Sequence, residues 1–272
     1  MSAFDKKIAF VGGGNMAEAV LSGLLRNHTV SEGEILVSEK SPERRAYLDT
    51  TYRVETVWDN SLAPQRAATV FLAVKPQILA EVKDELRGGL TDNHLVISIL
   101  AGMSRDRLGA ALGHPDRIVR VMPNLPALLG AGISAITFPE TLEESDRQWV
   151  RQILQSVGYI VEVQEPLQDV VTAVSGSGPG YIFFLAQHFI AAAVSEGLPE
   201  ETARKLVTET LAGSAELLRQ RPDSPAELVR KVATPGGTTE AGLTALKEKD
   251  LPGMIHEMVA RAANRSRELN RG

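Results

Sequence analysis

The hydrophobic pattern divides the chain into two parts. Up to about residue 164, short continuous apolar runs alternate with segments of helical spacing. Such runs are typical of parallel strands covered on both faces, and their alternation with helices predicts βαβ units. We therefore predict a first helix over Asn15–Arg26 and strands at residues 7–11, 35–39, 69–74, 95–100, 118–122 and 132–138.

Beyond residue 165 only helical patterns remain. Apolar residues recur at helical spacing over 206–218 and 251–263, and Ser224-Pro-Ala-Glu227 has the sequence of a capping box. The two parts together predict an α/β protein. We expect an N-terminal Rossmann domain with a doubly wound sheet over residues 1–164, followed by an all-α domain over residues 165–272.

One predicted helix is apolar on nearly every side. The segment Tyr181–Val194 reads YIFFLAQHFIAAAV, and such a helix must be buried on most of its faces. A helical domain of this size has few other segments to surround it. We therefore expect packing against a partner subunit, and a central core helix within one subunit is the alternative.

Composition narrows the class of protein. The 272 residues are 43% hydrophobic and 23% charged, which is an ordinary globular balance. A net charge of −5 argues against nucleic acid or a membrane surface as the main partner, and we expect a cytoplasmic protein with a small-molecule substrate. The chain has no cysteine and its five histidines lack metal-site spacing, so we predict no metal.

A glycine loop follows the first predicted strand. Residues 12–17 read GGGNMA and match the G-x-G-x-x-A pattern between a strand and a helix. Glycines at these positions allow a tight turn and the close approach of a pyrophosphate to the helix N-terminus. Gly12, Gly14, Asn15 and Met16 are therefore candidate dinucleotide-binding residues, and a purely structural turn is the alternative.

The residues after the second predicted strand leave the cofactor open. Glu39 lies where an acid would bind the ribose of NAD. Lys40, Arg44 and the serines at 38 and 41 are instead suited to the 2′-phosphate of NADP. Each of these side chains is equally compatible with being a solvated loop residue.

Two more loops follow strands at the edge where a dinucleotide would cross. Residues 73–77 read AVKPQ, and Ala73, Lys75 and Pro76 are candidates for cofactor contact there. Asn124, in the loop RVMPNLP, is a candidate for a place near the nicotinamide. A solvated charge at Lys75 and a structural kink at the prolines are the alternatives.

The segment 233–243 reads ATPGGTTEAGL and breaks one helix before opening another. The first turn of a helix offers unpaired N–H groups and the positive end of the helix dipole. Two glycines before Thr238 and Thr239 exceed what an ordinary N-cap needs. We therefore favour a binding site for a small carboxylate over a simple helix cap.

These motifs resemble the pyrroline-5-carboxylate reductase family. The resemblance runs through GGGNMAEAV, VFLAVKPQ at 70–77, RVMPNLPALLGAG at 120–132, GSGPGYIF at 176–183 and ATPGGTTEAGL. It implies a Rossmann domain and an all-helical dimerisation domain, through which members form homodimers that are often gathered into decamers. It also implies reduction of 1-pyrroline-5-carboxylate to L-proline with NADPH or NADH.

The resemblance further implies roles for individual residues. Gly237 and Thr238 would bind the substrate carboxylate with their N–H groups, Thr234 would flank it, and the hydroxyl of Thr239 would meet the ring nitrogen. Asn60 and Lys75 would contact the cofactor together with the glycine loop. We favour NADPH because Lys40 and Arg44 can pair with a phosphate, and NADH remains an accepted alternative.

Two other functions fit the residues. One is a Rossmann dehydrogenase acting on another small imino or 3-hydroxy acid, although the latter would normally have a lysine early in the helical domain, and residues 168–177 contain none. The other is a non-catalytic regulator that binds a dinucleotide and dimerises.

Overall fold

The chain forms two compact units. The computed structural model describes residues 4–113 and 116–271. The first unit contains the chain up to Ser177 together with the segment from Ala262 onwards, and the second unit is Gly178–Arg261. The predicted division between residues 164 and 165 stays a prediction.

The first unit is built on one eight-stranded sheet with the strand order β3-β2-β1-β4-β5-β6-β7-β8. All neighbouring strands are parallel except β6 and β7, which are antiparallel. The order 3-2-1-4-5 is that of a Rossmann sheet, and it places a switch point beside β1. The strands are β1 Lys6–Val11, β2 Ile35–Ser38, β3 Glu55–Val57, β4 Ala67–Leu72, β5 Leu95–Ser98, β6 Ile118–Met122, β7 Gly132–Thr137 and β8 Gly158–Glu162.

Helices follow most of the strands and make up the second unit. Those that begin before residue 178 are α1 Asn15–Arg26, α2 Pro42–Tyr52, α3 Leu62–Arg66, α4 Leu79–Arg87, α5 Arg105–Leu112, α6 Glu144–Gln155 and α7 Gln168–Val171. The later ones are α8 Gly178–Ser195, α9 Glu200–Gln220, α10 Pro225–Val232, α11 Thr238–Glu248 and α12 Leu251–Arg271. The capping box at Ser224 is present, with its hydroxyl accepting from the amide of Glu227.

The apolar runs of the strands fill two separate cores. Along β1, Ile8 and Phe10 belong to the core on one face of the sheet, whereas Ala9 and Val11 belong to the core on the other. All four are fully buried. Because side chains alternate between the faces of a strand, a sheet covered on both sides needs apolar residues at consecutive positions.

The predicted α/β class with a Rossmann sheet and a helical C-terminal part is confirmed. The first helix has the predicted bounds, and each predicted strand is present, most with ends shifted by one or two residues. Two strands were not predicted from the sequence. β3 has three residues, and the edge strand β8 is mostly exposed, so neither carries a continuous apolar run.

The second unit leaves much apolar surface open in the single chain. No residue of α8 is buried, and the side chains of Phe183 and Phe184 are 58% and 64% exposed. The apolar face is therefore not that of a core helix within one subunit. In the part of the chain that is described, no helix combines the length and hydrophobicity needed to cross a membrane.

The last helix returns to the first unit. Residues 262–271 of α12 belong to the unit of the sheet. There the buried Ser266 hydroxyl donates to Asp169 Oδ1 at 2.6 Å, and the backbone N–H of Ser104 donates to Asn270 Oδ1 at 2.8 Å. Arg107 also donates to the carbonyl of Leu269 at 2.8 Å.

A buried arginine lies behind this attachment. Arg120 on β6 is 3% exposed and donates to Glu165 Oε1 at 2.8 Å, while its other terminal nitrogen lies 3.8 Å from Asp169 Oδ1. The side chain of Asp169 is 12% exposed. Burial of a carboxylate and a guanidinium costs free energy unless the two are paired and hydrogen-bonded, as they are here.

We predict that Arg120→Leu lowers the free energy of unfolding by about 3–5 kcal/mol, because it removes the buried cation that lies beside both carboxylates. The exposed pair of Lys7 and Glu34 provides the control, and Lys7→Met should cost at most about 1 kcal/mol. Urea unfolding followed by circular dichroism measures both values. Equal midpoints for the two variants would contradict the role given to Arg120.

Candidate active site

The glycine loop between β1 and α1 is shaped by close backbone packing. Gly12 has φ +93°, and a Cβ placed there would lie 3.0 Å from the carbonyl carbon and oxygen of Ala73. A Cβ at Gly13 would lie 2.7 Å from Leu48 Cδ1. Gly12 therefore excludes a side chain both by its backbone conformation and by its contact with the backbone of Ala73, whereas a side chain at Gly13 would require Leu48 to shift.

Gly14 differs from the two glycines before it. A Cβ at Gly14 would meet nothing within 4 Å, and its φ of −69° suits any residue. It is the N-cap of α1, and no side chain caps that helix. The first amides of α1 therefore face open space, as a helix N-terminus that receives an anion requires.

Glu39 braces this loop. Its Oε2 accepts from the amide of Gly13 at 2.8 Å, and its Oε1 accepts from the amide of Ser41 at 2.9 Å. The sequence placed Glu39 where an acid would bind the NAD ribose. In the structure both of its carboxylate oxygens already bind backbone amides.

Arg44 is also engaged within the protein. Its Nε donates to the carbonyl of Gly13 at 2.6 Å, and its guanidinium forms an ion pair with Glu18. Burial raises the pKa of Glu18, but hydrogen bonds from Tyr52, Arg44 and Tyr47 outweigh it and hold the pKa below its usual value. Glu18 is therefore ionised at neutral pH and neutralises Arg44.

A cavity of about 320 Å³ opens at the carboxyl ends of the strands. Most of the predicted cofactor residues line it, namely Gly12, Gly14, Ser38, Lys40, Asn60, Ala73 and Lys75. They come from four separate stretches of sequence. The parallel sheet brings these together because the ends of β1, β2 and β4 meet at one edge.

The other predicted cofactor residues lie outside this lining. Asn15 and Met16 open α1, and Pro76 opens the single turn Pro76–Ile78. Asn124 uses its Oδ1 to accept from the amide of Ile133 at 3.0 Å. That bond gives Asn124 a structural task in holding its own loop.

Residues of α4 complete the cavity and were missed by the sequence analysis. Glu81, Val82 and Glu85 line it from this helix, and Ile78 lines it from the turn just before the helix. The two glutamates are four residues apart and so share one helix face. The spacing of the two glutamates indicates a shared helix face from the sequence alone. The position of that face at the cavity follows only from the order of the strands in the sheet.

In the second unit, the predicted substrate segment forms a tight turn before α11. Gly236 has φ +73°, and the amide of Gly237 donates to the carbonyl of Thr234 at 2.9 Å. A Cβ at Gly237 would lie 2.6 Å from Thr234 Oγ1. The helix starts at Thr238 without a side-chain cap at Gly237. Both glycines are thus required by the turn, and the helix end stays open.

Two cavities flank this turn. Gly236 and Gly237 line one of about 610 Å³, into which Arg230 and Lys247 also project positive charge. Glu240 lines it as well, and its carboxylate accepts from the amide of Gly236 at 2.7 Å. An acidic side chain therefore already binds an amide of this turn, as expected where backbone N–H groups attract an anion.

Thr239 faces the other cavity. It is half-buried and lines an apolar groove of about 340 Å³ together with Leu217, Leu218, Val229 and Leu243. Thr238 and Thr234 are exposed. Among the predicted substrate residues, Gly237 has its amide bound to the Thr234 carbonyl, Thr238 begins the uncapped helix, and Thr239 has its hydroxyl in apolar surroundings.

The sheet order, the open glycine loop and the lined cavity define a Rossmann-type dinucleotide-binding unit, joined to a helical unit with an open helix N-terminus. Residues 165–269 match the family model described as pyrroline-5-carboxylate reductase dimerisation. Residues 7–102 match the model described as NADP oxidoreductase, coenzyme F420-dependent.

Relatives that match nearly the full length of the chain are also pyrroline-5-carboxylate reductases. The chain is 42% identical over 266 residues to a pyrroline-5-carboxylate reductase of Synechocystis, covering 97% of this chain and 98% of that protein. A solved pyrroline-5-carboxylate reductase from Coxiella burnetii superposes with a TM-score of 0.88 at 33% identity, covering 97% and 98% of the two chains. The Plasmodium falciparum enzyme with NADP bound gives 0.86 at 27% identity, covering 98% and 99%. The chain belongs to the pyrroline-5-carboxylate reductase family.

Substitutions at Gly12 and Gly14 test separately the packing of the glycine loop and its binding of the cofactor. Gly12→Ala should lower the free energy of unfolding by about 1–3 kcal/mol, because it forces a positive φ on alanine beside the backbone of Ala73. Gly14→Ala should lower the free energy of unfolding by less than about 1 kcal/mol, and its methyl group, on the open side of the loop, should keep the pyrophosphate from the first amides of α1 and raise the dissociation constant for NADPH about tenfold, the scale of one hydrogen bond to a charged group.

Urea unfolding and NADPH titration by fluorescence measure the two effects. If Gly14→Ala bound NADPH like the unmodified protein, the open end of α1 would not be where the pyrophosphate binds.

Proposed function

We propose that the protein is an NAD(P)H-dependent reductase that converts 1-pyrroline-5-carboxylate to L-proline, the last step of proline biosynthesis. The observation that carries this proposal is 42% identity over the full length to a pyrroline-5-carboxylate reductase. The open helix start at Gly237 and the dinucleotide cavity supply the two binding sites that the reaction needs.

The proposed cofactor is NADPH, with NADH accepted. The cradle fits a dinucleotide, because Gly12 closes the turn and Gly14 leaves the first amides of α1 free to approach a pyrophosphate. The bound cofactor supplies the hydride. The residues that hold it are Gly12, Gly14, Asn15 and Met16 at the pyrophosphate, Ser38, Lys40 and Asn60 at the adenosine, and Ala73, Lys75, Pro76 and Asn124 further along.

The substrate carboxylate is proposed to bind at the start of α11. Thr238 offers its N–H group at the positive end of the helix dipole, Gly237 would exchange its hydrogen bond to the Thr234 carbonyl for one to the carboxylate, and Thr234 flanks them. Arg230 and Lys247 line the same cavity and add local positive charge. Local attraction matters here because the net charge of the chain is −5.

Thr239 is proposed as the catalytic residue. As a hydride reaches the carbon of a C=N bond, the nitrogen must be protonated or hydrogen-bonded. A threonine hydroxyl is too weak an acid to protonate it alone. Thr239 therefore orients the ring nitrogen and passes on a proton from solvent, and positioning supplies most of the acceleration.

Assembly is proposed to occur through the C-terminal helices of a domain that comprises residues 165–272. The exposed apolar side chains of α8 and the match to a dimerisation family support a homodimer. Further association into a decamer and a cytoplasmic location belong to the same proposal.

The activity test is oxidation of NADPH and of NADH at 340 nm with racemic 1-pyrroline-5-carboxylate. We expect turnover that depends on the substrate. A folded protein that binds NADPH without turning over this imine would contradict the reductase and favour the regulator or another imine or carbonyl substrate.

Thr239→Ala should lower kcat/KM between about 10-fold and 1000-fold, the usual contribution of one proton-transfer group. Thr239→Ser retains the hydroxyl and should recover most of the loss. Thr50→Ala, which changes an exposed threonine on α2, should have no effect. A value for Thr239→Ala within twofold of the unmodified enzyme would remove Thr239 from the mechanism.

A further inference from the structure

A chain of polar contacts runs from the buried end of β2 to the surface of the dinucleotide cavity. The Ser38 hydroxyl donates to Asn60 Oδ1 at 2.5 Å, and Asn60 Nδ2 donates to Glu85 Oε2 at 2.6 Å. Glu85 Oε1 accepts from Lys40 Nζ at 3.1 Å. Ser38 and Asn60 are buried, so the inner part of this series of hydrogen bonds is fixed.

Lys40 is the cation at the end of β2 that remains able to change partner. Arg44 is committed to Gly13 and to Glu18. The guanidinium of Arg45 donates to the carbonyls of Glu39 and Lys40 at 2.7 and 2.9 Å. Lys40 has a side chain that is 53% exposed, and its ion pair is with Glu85, which is itself 37% exposed.

We propose that Glu85 sets the balance between NADPH and NADH by competing with the 2′-phosphate of NADPH for Lys40. The inference rests on the proposed function, in which this cavity holds the cofactor. In a Rossmann fold the 2′ position of the adenosine ribose lies just after the second strand, where Lys40 is found. A phosphate at this position must draw Lys40 away from Glu85. It then lies close to the negative charge of the Glu85 carboxylate.

Glu85 cannot simply leave. Its Oε2 is held by Asn60, which is held in turn by Ser38, so the carboxylate keeps its place when Lys40 turns to a phosphate. NADH has a hydroxyl at the 2′ position and makes no such demand. The carboxylate therefore weakens the binding of NADPH relative to NADH without touching the reacting atoms.

Trp58 gives Lys40 a second support on the solvent side. Trp58 is 66% exposed, and Lys40 Nζ lies 5.5 Å from the centroid of its ring. A cation over an indole face is attracted to it. Lys40 therefore keeps a place at the rim of the cavity when Glu85 releases it.

The test is Glu85→Gln, which keeps the side-chain shape and an oxygen for Asn60 while removing the charge. The dissociation constants of NADPH and NADH are measured by fluorescence titration, together with kcat/KM for each. We expect the preference for NADPH to rise about fivefold, the scale of one partly exposed ion pair, with the NADH values within twofold of the original.

Glu81→Gln is the matched control. Glu81 lies one turn earlier on α4 and lines the same cavity. If the effect came from the general negative potential, both variants would raise the preference equally, and the proposal would be overturned. In a Lys40→Met background, Glu85→Gln should no longer change the preference, because the pair that it breaks is absent. A full effect in that background would also overturn it.

Binding of adenosine 2′,5′-bisphosphate and of adenosine 5′-phosphate separates this inference from the reductase itself. If Glu85→Gln strengthens only the 2′-phosphorylated ligand and the protein reduces no imine, the inference holds and the proposed reaction fails. If the enzyme reduces the imine but its preference does not change, the inference fails alone.

Discussion

The approach of Gly12 to the backbone of Ala73 is the contact on which the first unit's cavity depends. The two chain segments leave β1 and β4 side by side, and the amide of Ala73 donates to the carbonyl of Val11 at 2.9 Å. With no side chain between them, the loop can turn directly into α1 and leave its first amides open. A larger residue at Gly12 would meet the backbone of Ala73 and push the loop into the space proposed for a pyrophosphate.

Both proposed binding sites use the same physical device. In each, glycines shape a turn, and a helix then begins without a side chain that caps it. Backbone amides and the helix dipole attract an anion over a short range, so the acidic character of the whole chain does not oppose them. In both turns a glutamate carboxylate also binds a glycine amide, Glu39 at Gly13 and Glu240 at Gly236.

The local sequence pattern was sufficient to predict a strand wherever both faces of that strand are buried. The strands that carry the two cores were predictable, because a parallel sheet between two helical layers admits few polar residues. The edge strand β8 lacks that constraint, and Tyr159 on it is 60% exposed. The chain of contacts through Ser38, Asn60 and Glu85 joins residues 22 and 25 positions apart, so no short spacing reveals it. The glycine loops were predictable because the residues that each loop requires are adjacent in the sequence.

The return of α12 to the first unit affects how the protein is made. Asp169 gains its hydrogen bond from Ser266, which lies 97 positions later in the chain. A growing chain is synthesised from the N-terminus at about 5–20 residues per second, and domains generally fold as they emerge. The sheet unit can assemble early, but its packing is finished only after residues 262–271 have left the ribosome. Until then the surface that they cover is available to chaperones.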